Sequence, residues 1–199
     1  MADWITEWVQ QSGYLGIALM MLLETVFPPV PSEVIMPLAG LEAQRGSVTL
    51  WGAILAGTAG AMAGNFLWYM LARAVGLERL RWLVDHFGRL LTLEWREVER
   101  GDRFFDKYNR WFVCFGRLIP TIRSLISIPA GLFGMRTLPF LFWSSLGTLS
   151  WTTALAMAGY HLGESYDRVG GWLNPVSNVI LGLLVAGYLY RVVTWKPSK

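Results

Sequence analysis

The chain has 199 residues, 54% of them hydrophobic and 16% charged, with a mean hydropathy of +0.40. A soluble domain of this length carries about 25% charged residues, so the composition excludes one and points to an all-α integral membrane protein. Eleven Trp agree, since Trp gathers at bilayer interfaces. The net charge of +3, with no basic stripe interleaved with stacking aromatics, argues against nucleic acid as a partner. The single cysteine, Cys114, excludes an internal disulfide and any Cys-based metal cluster. His86 and His161 lack ligand spacing and read as polar loop residues, so no metal or other cofactor is expected. Acidic Asp3 and Glu7 stand where a cleavable signal would be basic.

In chain order, residues 2–12 place Trp4, Ile5 and Trp8 on one face of a short helix suited to the interface. The apolar run from Tyr14 to Leu23 is only ten residues long, and a full span needs about 20. Glu24, Glu33, Pro28, Pro29, Pro31 and Pro37 follow it, so 14–40 reads as a re-entrant hairpin. Residues 48–72 form a crossing lined with small residues (Gly52, Ala56, Gly57, Gly60, Gly64) that let helices approach closely, and Asn65 is its one strongly polar side chain. Residues 73–110 hold nine Arg or Lys against seven Asp or Glu and read as two amphipathic cytoplasmic helices with a solvated charged face. Residues 111–135 carry Arg117 and Arg123 within an apolar, Pro-broken stretch, a second re-entrant hairpin. Crossings at 137–160 and 172–193 follow, and by the positive-inside rule the loop between them is external. The chain is thus read as one membrane domain, 1–199, with repeats at 1–72 and 111–163.

Sliding the sequence by 91 positions puts Trp4 on Trp95, Pro29 on Pro120, Ala39-Gly40-Leu41 on Ala130-Gly131-Leu132, and Tyr69 on Tyr160. Each half then has an interfacial helix, a broken hairpin and one crossing. With one net crossing per half, the halves are inverted, a recurring transporter design in which broken helices meet near the midplane. The hairpins would face each other and bring Glu24 and Glu33 toward Arg117 and Arg123. Buried opposite charges must pair or neutralise. Arginines offer a fork of donors suited to phosphate. Carboxylates whose pKa is raised by desolvation or lowered by the arginines can bind and release a proton. Static ion pairs bracing the hairpins are the structural alternative. Ser32, Thr121 and Ser124, with Asn65, Pro29 and Pro120, are candidate cavity-lining positions, and the hydroxyls equally suit backbone groups freed by proline. No catalytic triad order, metal motif or P-loop is present, so an enzyme is not expected.

The motifs Glu24-x(3)-Pro28-Pro29-x-Pro31-Ser32-Glu33 with Ala39-Gly40, and Gly116-Arg117-x-x-Pro120-x-x-Arg123 with Ala130-Gly131, Met135 and Phe140, resemble the DedA family, also called the VTT-domain or SNARE-associated Golgi protein family. The resemblance covers roughly residues 14–163. It implies two facing re-entrant hairpins in a bacterial inner membrane and movement of lipids between leaflets. The lipid would be undecaprenyl phosphate or another phospholipid, in a flippase- or scramblase-like process that depends on the proton motive force. Glu24, Glu33, Arg117 and Arg123 match the family's functional positions. Many members have Gly-Asp where this chain has Gly64-Asn65, which puts a proton role at that place in doubt. Membrane lipids and protons are the implied partners, with a homodimer as the assembly allowed for. A small-anion transporter and a non-transporting envelope-integrity scaffold are the rival readings.

Overall fold

The computed structural model describes residues 3–27, 32–91, 95–119 and 122–162. Among them all regular structure is helical: α1 (Asp3–Val26), α2 (Ser32–Gln44), α3 (Leu50–Leu91), α4 (Trp95–Gly116), α5 (Ser127–Leu132) and α6 (Thr137–Leu162). The 172–193 crossing expected from the sequence lies outside the described residues, as do Pro29, Pro120 and Thr121 and the side chains of Trp4, Ile5 and Trp8.

Gly13, at φ 55° and ψ −132°, breaks α1 into an N-terminal piece and an apolar piece. That conformation is open to glycine at little cost, and it falls where the sequence separates the interfacial helix from the apolar run. α1 then stops before the proline-rich residues 28–31, which lack the amide donors a helix needs. α3 departs from expectation. It continues past 72 to Leu91, but Gly76 at φ 67° interrupts it as Gly13 interrupts α1, so a second helical piece after Gly76 precedes α4. Charge begins at Arg73, but Arg and Glu are good helix formers and do not end a hydrogen-bonded ladder. His86 and His161 accordingly lie on helices, not in loops.

Leu50–Trp82 is the one stretch among the described residues that is both long and apolar enough to cross a membrane. α6 has 26 residues, about 39 Å at 1.5 Å per residue, but its Ser, Thr and Gly residues make it less apolar.

The packing runs both within and between the halves. α1 lies on α3, and α2 on α6; α4 lies on α6, and α5 on α3. Two glycines mark corresponding close approaches between the halves. A Cβ on Gly40 would strike the backbone of Ala156 and Tyr160, and one on Gly131 would strike the backbone of Tyr69 and Arg73. Two apolar clusters result. One gathers Ile17, Met21, Ile35, Met36 and Ile54. The other gathers Tyr69, Phe105, Val113, Ile126 and Phe140, with the Tyr69 and Phe140 rings stacked at 4.2 Å.

Candidate functional site

Buried polar side chains from five segments gather in the bundle. α1 brings Glu24 and Thr25, α3 brings Asn65, the turn after α4 brings Arg117 and Arg123, α5 brings Ser127, and α6 brings Thr148. Each sits among apolar neighbours, where an unsatisfied polar group is costly, and the partners account for most of their hydrogen-bonding capacity.

Arg123 Nη2 pairs with Glu24 Oε1, and both side chains are nearly closed to solvent, at 11% and 6% exposure. Thr25 Oγ1 lies 3.4 Å from Glu24 Oε2 and donates to the Met21 carbonyl at 2.8 Å. The Arg123 guanidinium also stands 5.8 Å from the centre of the Trp151 ring, a favourable cation–π placement.

Arg117 is held differently. Its Nη1 donates to Asn65 Oδ1 at 2.7 Å and to the Arg123 carbonyl, and its Nη2 donates to Ser127 Oγ at 2.8 Å. Ser127 Oγ in turn lies 3.3 Å from Asn65 Oδ1. Arg117 therefore ties the turn between α4 and α5 to α3, and through the carbonyl bond it fixes the backbone that carries Arg123. Its Nε has no partner, nor has the buried hydroxyl of Ser144. Glu24, Thr25, Ala61, Asn65, Arg117, Arg123, Ser124, Thr148 and Trp151 enclose a hollow of about 20 Å³. That is room for about one water, so the site is shut around its ion pair. A more open cleft of about 610 Å³ near the C-terminal end of α6, between Tyr14, Ser47, Thr49, Tyr160 and His161, has no arginine or lysine in its lining.

The structure thus brings five of the candidate residues, Glu24, Asn65, Arg117, Arg123 and Ser124, onto one hollow. Ser32 is buried beside it and accepts from Trp151 Nε1 at 3.5 Å. Glu33 stands half-buried at the start of α2 and does not line the hollow. Sequence reasoning missed Ser127, Thr148 and Trp151. The signal was the run of hydroxyls in α6 at Ser144, Thr148 and Thr152, spaced by four and so on one face.

A helical bundle that closes apolar elements around an ion pair and a second buried arginine defines a membrane protein with a charged interior. The chain belongs to the VTT domain family, whose model matches residues 30–161. It is 36% identical over 200 residues to an alkaline phosphatase-like protein of Lactococcus lactis subsp. lactis, covering 100% of this chain and 94% of the relative. It is 30% identical to undecaprenyl phosphate transporter A of Staphylococcus aureus, covering 96% and 94% of the two chains. The protein of that name from Bacillus subtilis is also 30% identical, with 95% and 92% covered. No solved structure matches.

Proposed function

We propose that this protein is a multi-pass lipid transporter of the bacterial inner membrane that moves undecaprenyl phosphate, or another phosphate-bearing lipid, between leaflets. The observation that carries this reading is the buried Glu24–Arg123 pair beside the anchored Arg117. The relatives named as undecaprenyl phosphate transporters support the substrate class. The lipid phosphate takes the place of the Glu24 carboxylate on Arg123 while Glu24 takes up a proton. Phosphate charge replaces that of the carboxylate on Arg123, and Arg117 is at hand for the second charge of a phosphate monoester, so the exchange avoids the cost of an unpaired ion. Arg117 is the fixed cation and Arg123 the exchanging one, and both face the phosphate with guanidinium donors. Glu33, at the start of α2, is the second acid on the proton's route.

The inverted repeat belongs to the same proposal. Exchanging α1, α2 and α3 for α4, α5 and α6 maps the α1–α3 packing onto α4–α6, and α2–α6 onto α5–α3. Gly40 meets Tyr160 where Gly131 meets Tyr69, the same pairs the 91-residue shift aligns. On this reading α1–α2 and α4–α5 are re-entrant hairpins, and rocking one against the other opens the hollow to each leaflet in turn.

A static brace is the competing reading, favoured by the closure of the hollow around its pair. A hydrolase reading is prompted by the name of the Lactococcus relative. The test is translocation of fluorescent undecaprenyl phosphate, phosphatidylethanolamine and phosphatidylglycerol in proteoliposomes, with and without a pH gradient. The proposal expects gradient-dependent movement of at least one phosphate lipid that inorganic phosphate does not compete away. Competition by inorganic phosphate indicates a soluble-anion carrier, and no movement indicates the brace.

A further inference from the structure

We infer that the outward surface of α4 is a binding site for anionic phospholipid headgroups, separate from the buried ion pair. Arg96, Arg100, Arg103, Lys107 and Arg110 are all exposed. Their spacing of four, three, four and three sets them in one row, about 21 Å long at the helical rise. A second row runs beside it with the same spacing: Phe104, Tyr108, Trp111 and Phe115, between 41% and 58% exposed. Val98, Phe105 and Val113 on the opposite side are buried in the protein core. The rotation of α4 about its axis is therefore fixed, and both rows are held outward.

The aromatic row does not end on α4. The Trp111 ring is 5.5 Å from that of Trp143 on α6, which is 5.5 Å from Phe142. Phe142 and Leu138 on α6 are exposed by 64% and 80%, and side chains of that kind need hydrocarbon against them. Aromatic side chains collect at the boundary between hydrocarbon and headgroups. A row of cations alongside that boundary lies at the depth of lipid phosphates, each cation drawing anionic lipid by electrostatic attraction.

This continuity with an apolar face selects a lipid surface over a nucleic acid, which would leave Phe142 and Leu138 bare. Of the acidic residues of the helix, Glu99, Asp102 and Asp106 fall on the flank of the basic row away from the aromatics, and Glu97 shares the register of Phe104 and Trp111 before the aromatic row begins. The cations, read from sequence only as part of a solvated face, thus form one strip beside an aromatic one. The inference is independent of the transport reading, because it concerns retention of lipid at the surface and not passage through the bundle.

Native mass spectrometry of the detergent-purified full chain, titrated with phosphatidylglycerol or phosphatidylcholine, tests it. The wild type should retain phosphatidylglycerol preferentially, and the preference should fall as salt is raised. An Arg100→Gln, Arg103→Gln, Lys107→Gln variant should lose about fivefold in preference per cation removed, while Arg100→Lys, Arg103→Lys keeps it. Thermal melting identifies a misfolded triple variant, in which case the salt titration of the wild type decides. Equal retention of the two lipids, a salt-independent preference, a folded triple variant with unchanged preference, or stronger retention of a single-stranded oligonucleotide would each overturn the inference.

Discussion

Removing Glu24 and Arg123 separately and then together distinguishes an exchanging ion pair from a structural brace. The pair is almost wholly desolvated, with side-chain exposures of 6% and 11%, so deleting one partner leaves the other charged in an apolar surrounding. Glu24→Met should therefore cost about 3–5 kcal/mol of stability, the range for breaking a buried pair. Arg123 retains its placement over Trp151, which offsets a small part of that loss. Arg123→Met should cost a similar amount. The double variant replaces both charges with apolar groups of comparable volume and should recover most of the stability. The assays are equilibrium unfolding in mixed detergent and lipid translocation in proteoliposomes. With exchange, the double variant folds nearly as well as wild type and transports nothing. A double variant that transports at the wild-type rate refutes the exchange, and a single variant that loses under 1 kcal/mol refutes the assignment of a tight buried pair.

Three further outcomes follow from the same geometry. Arg123→Lys should impair translocation nearly as much as Arg123→Ala, since an ammonium lacks the bidentate fork; near-normal transport by the Lys variant would count against phosphate binding at this side chain. Asn65→Leu removes an acceptor 2.7 Å from Arg117 Nη1 and should cost about 1.5–3 kcal/mol in unfolding experiments, whereas Asn65→Asp keeps the acceptor and should melt no lower than wild type. Gly40→Ala and Gly131→Ala each push a methyl into the backbone of the opposite half and should each cost about 1–3 kcal/mol by overpacking; unchanged melting would show that the helices are free to separate.

Much of the site was legible because charge in an apolar sequence has few places to go. Glu24, Arg117 and Arg123 could not face lipid, so a shared interior was the remaining solution. Who pairs with whom was not legible. Spacing put both acids near both arginines, yet Glu24 takes Arg123 while Arg117 is held by neutral Asn65 and Ser127. Those partners come from α1, α3 and α5, and the choice is fixed only when the elements pack. The Ala-Gly-Leu repeat pointed to a match between halves, but only the structure places Gly40 against Tyr160 and Gly131 against Tyr69. The boundary drawn at 72 from charge falls just short of Gly76, whose φ of 67° interrupts a helix that runs on to Leu91. The rows on α4 were invisible in a count of nine cations against seven acids, since a count discards the helical angle that separates them.

The central claim is that a lipid phosphate displaces the Glu24 carboxylate from Arg123 and leaves Glu24 protonated. Infrared difference spectroscopy of the reconstituted protein, with and without undecaprenyl phosphate, reads this directly. Binding should raise a protonated-carboxyl carbonyl band that shifts in heavy water and is missing from Glu24→Gln. Binding without that band, or with the same band in the Gln variant, would contradict the exchange.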